Sequence, residues 1–209
     1  MRASFRVATA TLLMVVAGAA VATTIAPLTT EQKTDASDLI VRGQVKSVRV
    51  DVDAQAHVWT RVEVGITDTL KGVAPGATLT VESPGGIYDG IPHEVPLAAR
   101  YSVEEDVLLF LAYKPARGVY GTVGMSTGKY SVRPDPSDGS PMVVQFSIPY
   151  SQAYDARFLA HPPADKRVAL NDFESDITAR VRAGWDGNPI PGVSAEHLRE
   201  INVLAEGVR

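Results

Sequence analysis

The chain has 209 residues, with 20 Lys and Arg against 24 Asp and Glu, and it contains no cysteine. This mildly acidic balance argues against nucleic-acid binding, whose affinity comes from basic side chains that neutralise phosphates. The lack of cysteine excludes disulfides, thiolate nucleophiles and cysteine-bound zinc, so stability must come from apolar burial.

The first 22 residues have the layout of a secretory signal peptide. Two arginines give a basic start, residues 7–22 are apolar and uncharged, and residues 20–22 are the small residues that a signal peptidase prefers. A retained anchor is the alternative, but this apolar run is shorter than the roughly 20 residues that span a bilayer. We therefore predict export to the periplasm or beyond, with Thr23 as the mature N-terminus and no membrane attachment after cleavage.

The next segments predict a short helix and then strands. Residues 23–36 form a helical lead-in, in which Thr29 and Gln32 have the spacing of a capping pair. Alternating apolar residues predict a first strand from Asp38. The apolar residues change from odd-numbered to even-numbered positions near residues 46–48, which indicates a β-bulge. Further strands are predicted over residues 58–67 and 78–83.

Later strands complete the pattern of a small barrel. Residues 107–113 are continuously apolar, which predicts a strand buried on both faces. Residues 119–124 and 129–132 are predicted to pair as a hairpin. Short alternating strands separated by turns predict a closed antiparallel β-barrel over residues 37–132.

Residues 133–209 are predicted to be a linker followed by a C-terminal helical appendage. In the first helix, Asn171 and Glu174 have capping spacing, and Gly184 ends the periodic pattern. A final helix is predicted to begin at Ser194. The apolar positions of the first helix are Leu170, Phe173, Ile177 and Val181.

Several short motifs resemble those of a family of exported, mostly uncharacterised bacterial proteins. They are the Asp-Leu-Ile-Val-Arg-Gly strand at 38–43, the Leu-Lys-Gly turn at 70–72, the Pro-Gly-Gly loop at 84–86 and the Leu-Phe-Leu strand at 109–111. The helix over residues 168–183 is similar to one found downstream in the same family. The resemblance implies a barrel of the OB type, as in netrin modules and tissue inhibitors of metalloproteinases. The expected fold is thus α+β, an OB-like closed antiparallel β-barrel with C-terminal helices.

The inhibitory mechanism of the tissue inhibitors of metalloproteinases cannot apply to this chain. They use an N-terminal Cys to bind the catalytic zinc of a protease, whereas this chain has no Cys. Thr23 also lies some fifteen residues before the first predicted strand. A role as inhibitor or companion of an exported protease therefore remains only an alternative that the barrel resemblance suggests.

Three motifs with catalytic or metal-binding associations have simpler explanations. Residues 124–128 match the G-x-S-x-G elbow of hydrolases, with Ser126 as nucleophile, but a strand rather than a helix is predicted to follow. His93-Glu94 lacks the second His of a zinc-protease helix and is flanked by prolines. Residues 135–140 read as an Asp-rich turn rather than a calcium loop. We expect no cofactor and no metal, and the hydrolase is a second alternative.

The segment over residues 84–105 is the strongest candidate for function. It carries three Gly and three Pro, and long loops on a rigid barrel commonly carry recognition. A passive cover over the barrel rim is the alternative. We predict an exported, non-enzymatic binding module for a protein or small ligand, with recognition through this segment or the rim. Its candidate binding residues are Gly85, Gly86, Tyr88, Asp89 and His93.

Overall fold

A computed structural model describes residues 28–145 and 166–206, so the predicted signal peptide lies outside the described residues. Within these ranges the chain is α+β, with a mostly antiparallel eight-stranded sheet, a two-stranded sheet and helices that include two near the C-terminus. None of the helices in this part of the chain has the length and apolarity required to cross a membrane. The strands are β1 Leu39–Val52, β2 Val58–Lys71, β3 Thr78–Pro84, β4 Gly86–Tyr88, β5 Ile91–His93, β6 Asp106–Lys114, β7 Val119–Thr122, β8 Lys129–Pro134, β9 Pro141–Gln145 and β10 Lys166–Ala169. The α-helices are α1 Thr30–Asp35, α2 Leu170–Ala183 and α3 Ala195–Glu206.

The local predictions for the first two strands and the first helix are confirmed. β1 and β2 pair antiparallel, and their register shifts between Val45 and Ser47. This is where the apolar residues of β1 change from odd-numbered to even-numbered positions, as a β-bulge requires. At the start of α1, Thr29 Oγ1 accepts a bond from the Gln32 backbone and Gln32 Oε1 accepts one from the Thr29 backbone. This reciprocal pair is a capping box, which satisfies two backbone donors at the helix start.

Strand β6 lies at the centre of the pairing pattern. One edge pairs with β1, and the other pairs with β8 through residues 107–109 and with β7 through residues 111–114. β3 pairs with β2 and makes a parallel bridge to β7 between Val81 and Tyr120. β9 and β10 extend the sheet beyond β8.

The predicted hairpin between residues 119–124 and 129–132 is wrong. β7 and β8 are both antiparallel to β6, so they run in the same direction along one edge of it. Between them, Val123 N donates to Phe110 O, and a 3₁₀ turn at Met125–Gly128 displaces the chain before it continues along β6. Such a displacement keeps the strand direction, whereas a tight hairpin turn would reverse it.

The two faces of the sheet bury separate apolar clusters. In β6, Leu109 faces one cluster, and its neighbours Leu108 and Phe110 face the other. The prediction that this strand is buried on both faces is therefore confirmed, because its alternate side chains enter different cores. The inner cluster contains Leu39, Val41, Val45, Val62, Val64, Leu79, Val81, Val107, Leu109 and Leu111.

The outer cluster lies between the sheet and the helices. The Phe173 ring of α2 lies 4.7 Å from the Tyr130 ring and 6.2 Å from the Phe110 ring, centroid to centroid. The ammonium of Lys33 in α1 is also buried here and donates to Thr127 O at 3.0 Å and to Tyr130 Oη at 2.5 Å. Aromatic packing and cation–π contact thus hold α1 and α2 against one face of the sheet.

The end of α2 is predicted correctly, but its start is not. Gly184 follows the last turn with φ +74°, a conformation that glycine adopts without steric cost. The predicted cap by Asn171 and Glu174 is wrong, since the residue before the helix is Ala169, with no side-chain cap. β10 leads directly into α2, so Asn171 already lies inside the first turn.

Charged side chains connect the helices at one point. Arg180 of α2 donates from two nitrogens to the carboxylate of Asp35 in α1, at 2.9 and 2.5 Å. Lys71 at the end of β2 donates to the carbonyls of Thr34 and Asp35 and to Asn202 Oδ1 of α3. This polar hub ties the C-terminal helices to α1 and to the sheet.

Candidate functional site

The 84–105 segment contains a small β-hairpin that was predicted as irregular loop. β4 and β5 pair antiparallel, and Asp89 and Gly90 form the two-residue turn between them. Both turn residues have positive φ, +49° for Asp89 and +74° for Gly90. Positive φ at both positions is the requirement of a type I′ turn, for which Asp-Gly is a preferred sequence.

The root of this hairpin is fixed to β1 and β2. Gly85 N donates to Val58 O at 2.8 Å, and Thr60 Oγ1 donates to Gly85 O at 2.7 Å. A Cβ atom on Gly86 would lie 2.7 Å from Thr60 Oγ1 and 2.9 Å from a methyl carbon of Val50. Gly85 and Gly86 also have φ of +82° and +142°. The two glycines are therefore required for the close approach of the hairpin to the sheet.

The return half of the segment is anchored as well. Ser83 Oγ donates to Ala99 O at 2.7 Å. Farther along, Glu105 Oε1 accepts bonds from Lys129 Nζ at 2.6 Å and from Ser131 Oγ at 2.5 Å. Burial would raise the pKa of the Glu105 carboxyl, but these bonds and the Lys129 charge outweigh burial and lower it. Glu105 is thus held as a carboxylate that closes the segment onto β8.

The hairpin exposes apolar side chains on both of its faces. Ile87 is 68% exposed and pairs with Pro92 on one face. Tyr88 and Ile91 are 45% and 59% exposed and pair directly opposite each other, so they share the other face. Val95, just beyond β5, is also exposed. Several exposed apolar side chains in one short segment make the hairpin a candidate interaction site.

A groove of about 380 Å³ lies between the hairpin and the sheet. Its base includes Val48 and Val50 of β1 and Thr60 of β2, and its far wall is formed by residues 94–101. The only Lys or Arg among its lining residues is Arg100, which lies 3.2 Å from Glu94 and whose side chain is 85% exposed. We call this surface the hairpin groove.

The five residues predicted from the sequence lie in one hairpin but not on one surface. Gly85, Gly86 and His93 line the hairpin groove. Tyr88 lies on the hairpin face that points away from Ile87, and Asp89 lies in the turn. The sequence prediction missed three neighbours that the structure adds to the site. These are Ile87, Ile91 and Arg100.

The G-x-S-x-G motif has a different geometry from a hydrolase elbow. Ser126 lies in the 3₁₀ turn at Met125–Gly128, and strand β8 follows directly. Its backbone N–H donates to Leu97 O at 2.9 Å, so the turn supports the 84–105 segment. In a nucleophile elbow a helix follows the serine. Across residues 28–145 and 166–206, no three His, Asp or Glu side chains converge as a metal-binding group.

A charged cluster on the outer side of β3 was also not predicted. The Glu82 side chain is fully buried, and Arg117 donates to both of its oxygens, at 2.5 and 3.1 Å, while Arg61 donates at 3.0 Å. The Arg117 guanidinium lies 4.3 Å from the Trp59 ring centroid, and the Trp59 indole donates to Asp53. Burial alone would raise the pKa of Glu82, but Arg117 and Arg61 lower it. The paired charges make this cluster a structural support for the tip of β1 and β2.

The chain matches no protein-family model, and no curated protein is significantly similar to it. The function is therefore inferred from the hairpin, the groove beside it and the apolar side chains that both expose.

Proposed function

We propose that the chain is an exported, non-enzymatic binding module in which an OB-type barrel presents the 84–105 segment to a protein or small ligand. Export is supported by the basic and apolar pattern of residues 1–22. The single observation that carries the binding role is the rigidly rooted hairpin with apolar side chains exposed on both faces.

The OB-type barrel is supported by the strand pairings. β1 pairs with β2, β2 with β3, β3 with β7, β7 with β6, and β6 again with β1. A return of the pairings to the first strand is expected of a closed barrel, and the OB fold has five such strands. The inner apolar cluster, drawn from these strands, fits the interior of that barrel.

Binding through the 84–105 segment is supported by its anchored root. Hydrogen bonds at Gly85 and Ala99 hold both halves of the segment to the sheet. A segment that is already ordered loses little conformational entropy when it binds. The exposed Ile87, Tyr88 and Ile91 then supply apolar area that leaves water in the complex.

A photo-crosslinking experiment tests this function. Tyr88 is replaced by p-benzoylphenylalanine in the exported protein, and Val73, which is 76% exposed in the turn between β2 and β3, receives the same substitution as a matched control. We expect a crosslinked product from position 88 and none from position 73. Loss of that product in His93→Ala and Ile91→Ser backgrounds would tie it to this surface.

Two other outcomes would contradict the proposed function. Equal crosslinking at positions 73 and 88, or none at either, would contradict a binding role for the segment. Hydrolysis of p-nitrophenyl acetate that disappears in Ser126→Ala would contradict the non-enzymatic part of the proposal and favour the hydrolase alternative.

A further inference from the structure

A second cavity lies apart from the hairpin groove, where the sheet meets the C-terminal helices. Its volume is about 580 Å³. Ala112 of β6 and Val123 after β7 line it from the sheet, and Leu28 lines it from the chain before α1. Residues 191–194, in the connector between α2 and α3, form another wall. None of the residues that line the hairpin groove lines this cavity, which we call the outer cavity.

The walls of the outer cavity are continuous with the outer apolar cluster. Val123 is buried in that cluster. Leu28, Ala112 and Val193 pack against it but are only partly buried. A molecule seated in the cavity would remove their remaining apolar area from water, which favours binding. Sites for small molecules are concavities of roughly 300–1,000 Å³ with mainly apolar walls and few polar groups, and the outer cavity has these properties.

The volume of the outer cavity sets an upper limit on the size of such a molecule. A dry cavity of about 150 Å³ holds one benzene molecule. By this measure a molecule with three aromatic rings needs about 450 Å³, which is less than the outer cavity provides.

The polarity of the walls favours a neutral ligand. Among the described residues that line the outer cavity, none is Asp, Glu, Lys or Arg, and the polar side chains are those of Thr122, Ser194 and His197. His197 Nε2 lies 3.8 Å from Asp38 Oδ2, so a protonated imidazole would already have its counter-charge. A charged group on a ligand would lose water here without an opposite charge to replace it.

We propose that the outer cavity is a second binding site, which takes a neutral apolar molecule of up to about three rings between the sheet and the connector. Ser194 Oγ accepts a bond from the His197 backbone at 3.1 Å and still has its own proton to donate. The site therefore also accommodates a carbonyl or hydroxyl group on the ligand. It goes beyond the proposed function, because it contains no residue of the 84–105 segment.

Fluorescence titration with two related probes tests the proposed chemistry of the ligand. N-phenylnaphthylamine is neutral, and anilinonaphthalene sulfonate has the same ring system with an added anionic group. We expect saturable binding of the neutral probe to the mature chain, with a Kd at least about tenfold lower than that of the anionic probe. Equal or tighter binding of the anionic probe overturns the inference. So does a lack of saturable binding of the neutral probe up to about 100 μM, the result expected if a second copy of the chain covers the cavity instead.

The same substitution in each cavity locates the bound probe. Ala112→Phe fills the outer cavity, and Ala98→Phe makes the matched change in the hairpin groove. We expect Ala112→Phe to raise the Kd of the neutral probe about tenfold or more and Ala98→Phe to leave it unchanged. The reverse pattern would place the probe in the hairpin groove and overturns the inference.

A variant outside the sheet keeps the test decisive if Ala112→Phe does not fold. Val193→Asp places a carboxylate in the wall of the outer cavity and changes only the connector. It should raise the Kd of the neutral probe by a similar factor, because the probe offers the carboxylate no opposite charge. An unchanged Kd in this variant overturns the inference.

Photo-crosslinking separates this site from the proposed function. The product from position 88 should persist in Ala112→Phe, because Ala112 does not line the hairpin groove. Loss of probe binding with the crosslink retained thus supports two separate sites. Loss of the crosslink in a folded Ala112→Phe variant would overturn their separation.

Discussion

Raising the pH is expected to stabilise the protein through Lys71. This side chain is 5% exposed, and its ammonium donates to the carbonyls of Thr34 and Asp35 at 2.8 and 3.2 Å and to Asn202 at 3.3 Å. Burial lowers the pKa of Lys71 from 10.5 to about 8, although the charges of Asp35 and Asp38 oppose the change. Folding therefore disfavours the protonated form.

The pKa difference fixes both the sign and the pH window of the effect. Below pH 8 the Lys71 amine is protonated in both states, so the cost of burying the charge is constant. Between pH 8 and 10.5 the unfolded chain keeps this proton and the folded chain has released it. The free energy of unfolding then rises by about 1.4 kcal/mol for each pH unit, or about 3 kcal/mol across the window.

Urea denaturation of the wild-type chain and of Lys71→Met at several pH values measures this effect. Other groups titrate in both proteins, so the informative quantity is the difference in the free energy of unfolding between them. That difference should shift by about 3 kcal/mol in favour of the wild type from pH 7 to 10.5. Asn202→Ala is the matched control, because it removes a hydrogen-bond partner of Lys71 and leaves the titrating amine. A pH-independent difference, or one that favours Lys71→Met as pH rises, would refute the reasoning.

Two further substitutions test the hairpin root and the polar hub. Gly86→Ala should lower the free energy of unfolding by about 1–3 kcal/mol. The reason is that residue 86 has φ +142° and that the added Cβ would lie 2.7 Å from Thr60 Oγ1. A free energy of unfolding in urea equal to that of the wild type would show that the root is not tightly packed. Arg180→Met should cost about 3–5 kcal/mol because it leaves the buried carboxylate of Asp35 without its partner. Adding Asp35→Asn to that variant should recover part of the loss in the same assay, and a purely additive loss would contradict a direct pair.

A strand could be predicted from the sequence wherever one of its faces is buried and the other is exposed, because its apolar and polar residues then alternate. Val62 and Val64 alternate with polar neighbours, so β2 is evident from its period of two. β9 was missed for the opposite reason, since its adjacent Val143 and Val144 are both buried and the strand has no alternation. A short strand covered on both faces cannot be distinguished from a linker by periodicity alone.

The buried charges could not be predicted from the sequence. Asp35 and Arg180 are 145 residues apart, and Glu82 and Arg117 are 35 residues apart. Charged residues are expected on the surface unless they are paired, and the pairing depends on the tertiary fold. Lys33 lies in the predicted lead-in helix, but its burial against the Phe110 and Tyr130 rings of the outer cluster could not be predicted for the same reason.

At the candidate site the sequence indicated the 84–105 segment as a loop but did not predict its hairpin. The Asp89-Gly90 pair between apolar residues is a hairpin signal, which the high Gly and Pro content of the segment obscured. The exposure of Ile87 and Ile91 could not be predicted, because apolar residues are most often buried in the core. Gly86 packs closely on Val50 and Thr60, yet Ile87 and Ile91 in the hairpin beyond it are exposed.

The position of the hairpin also explains why exposed apolar side chains are compatible with a stable fold. The inner and outer clusters are closed without any residue of β4 or β5, so the two cores do not depend on the hairpin. Its order comes instead from Gly85, Gly86 and Thr60, whose contacts fix the root. The residues that close the two cores are thus different from those of the proposed binding surface. In the proposed role, the exposed apolar area of Tyr88 and Ile91 is available for association, since neither side chain belongs to a core that folding has already closed.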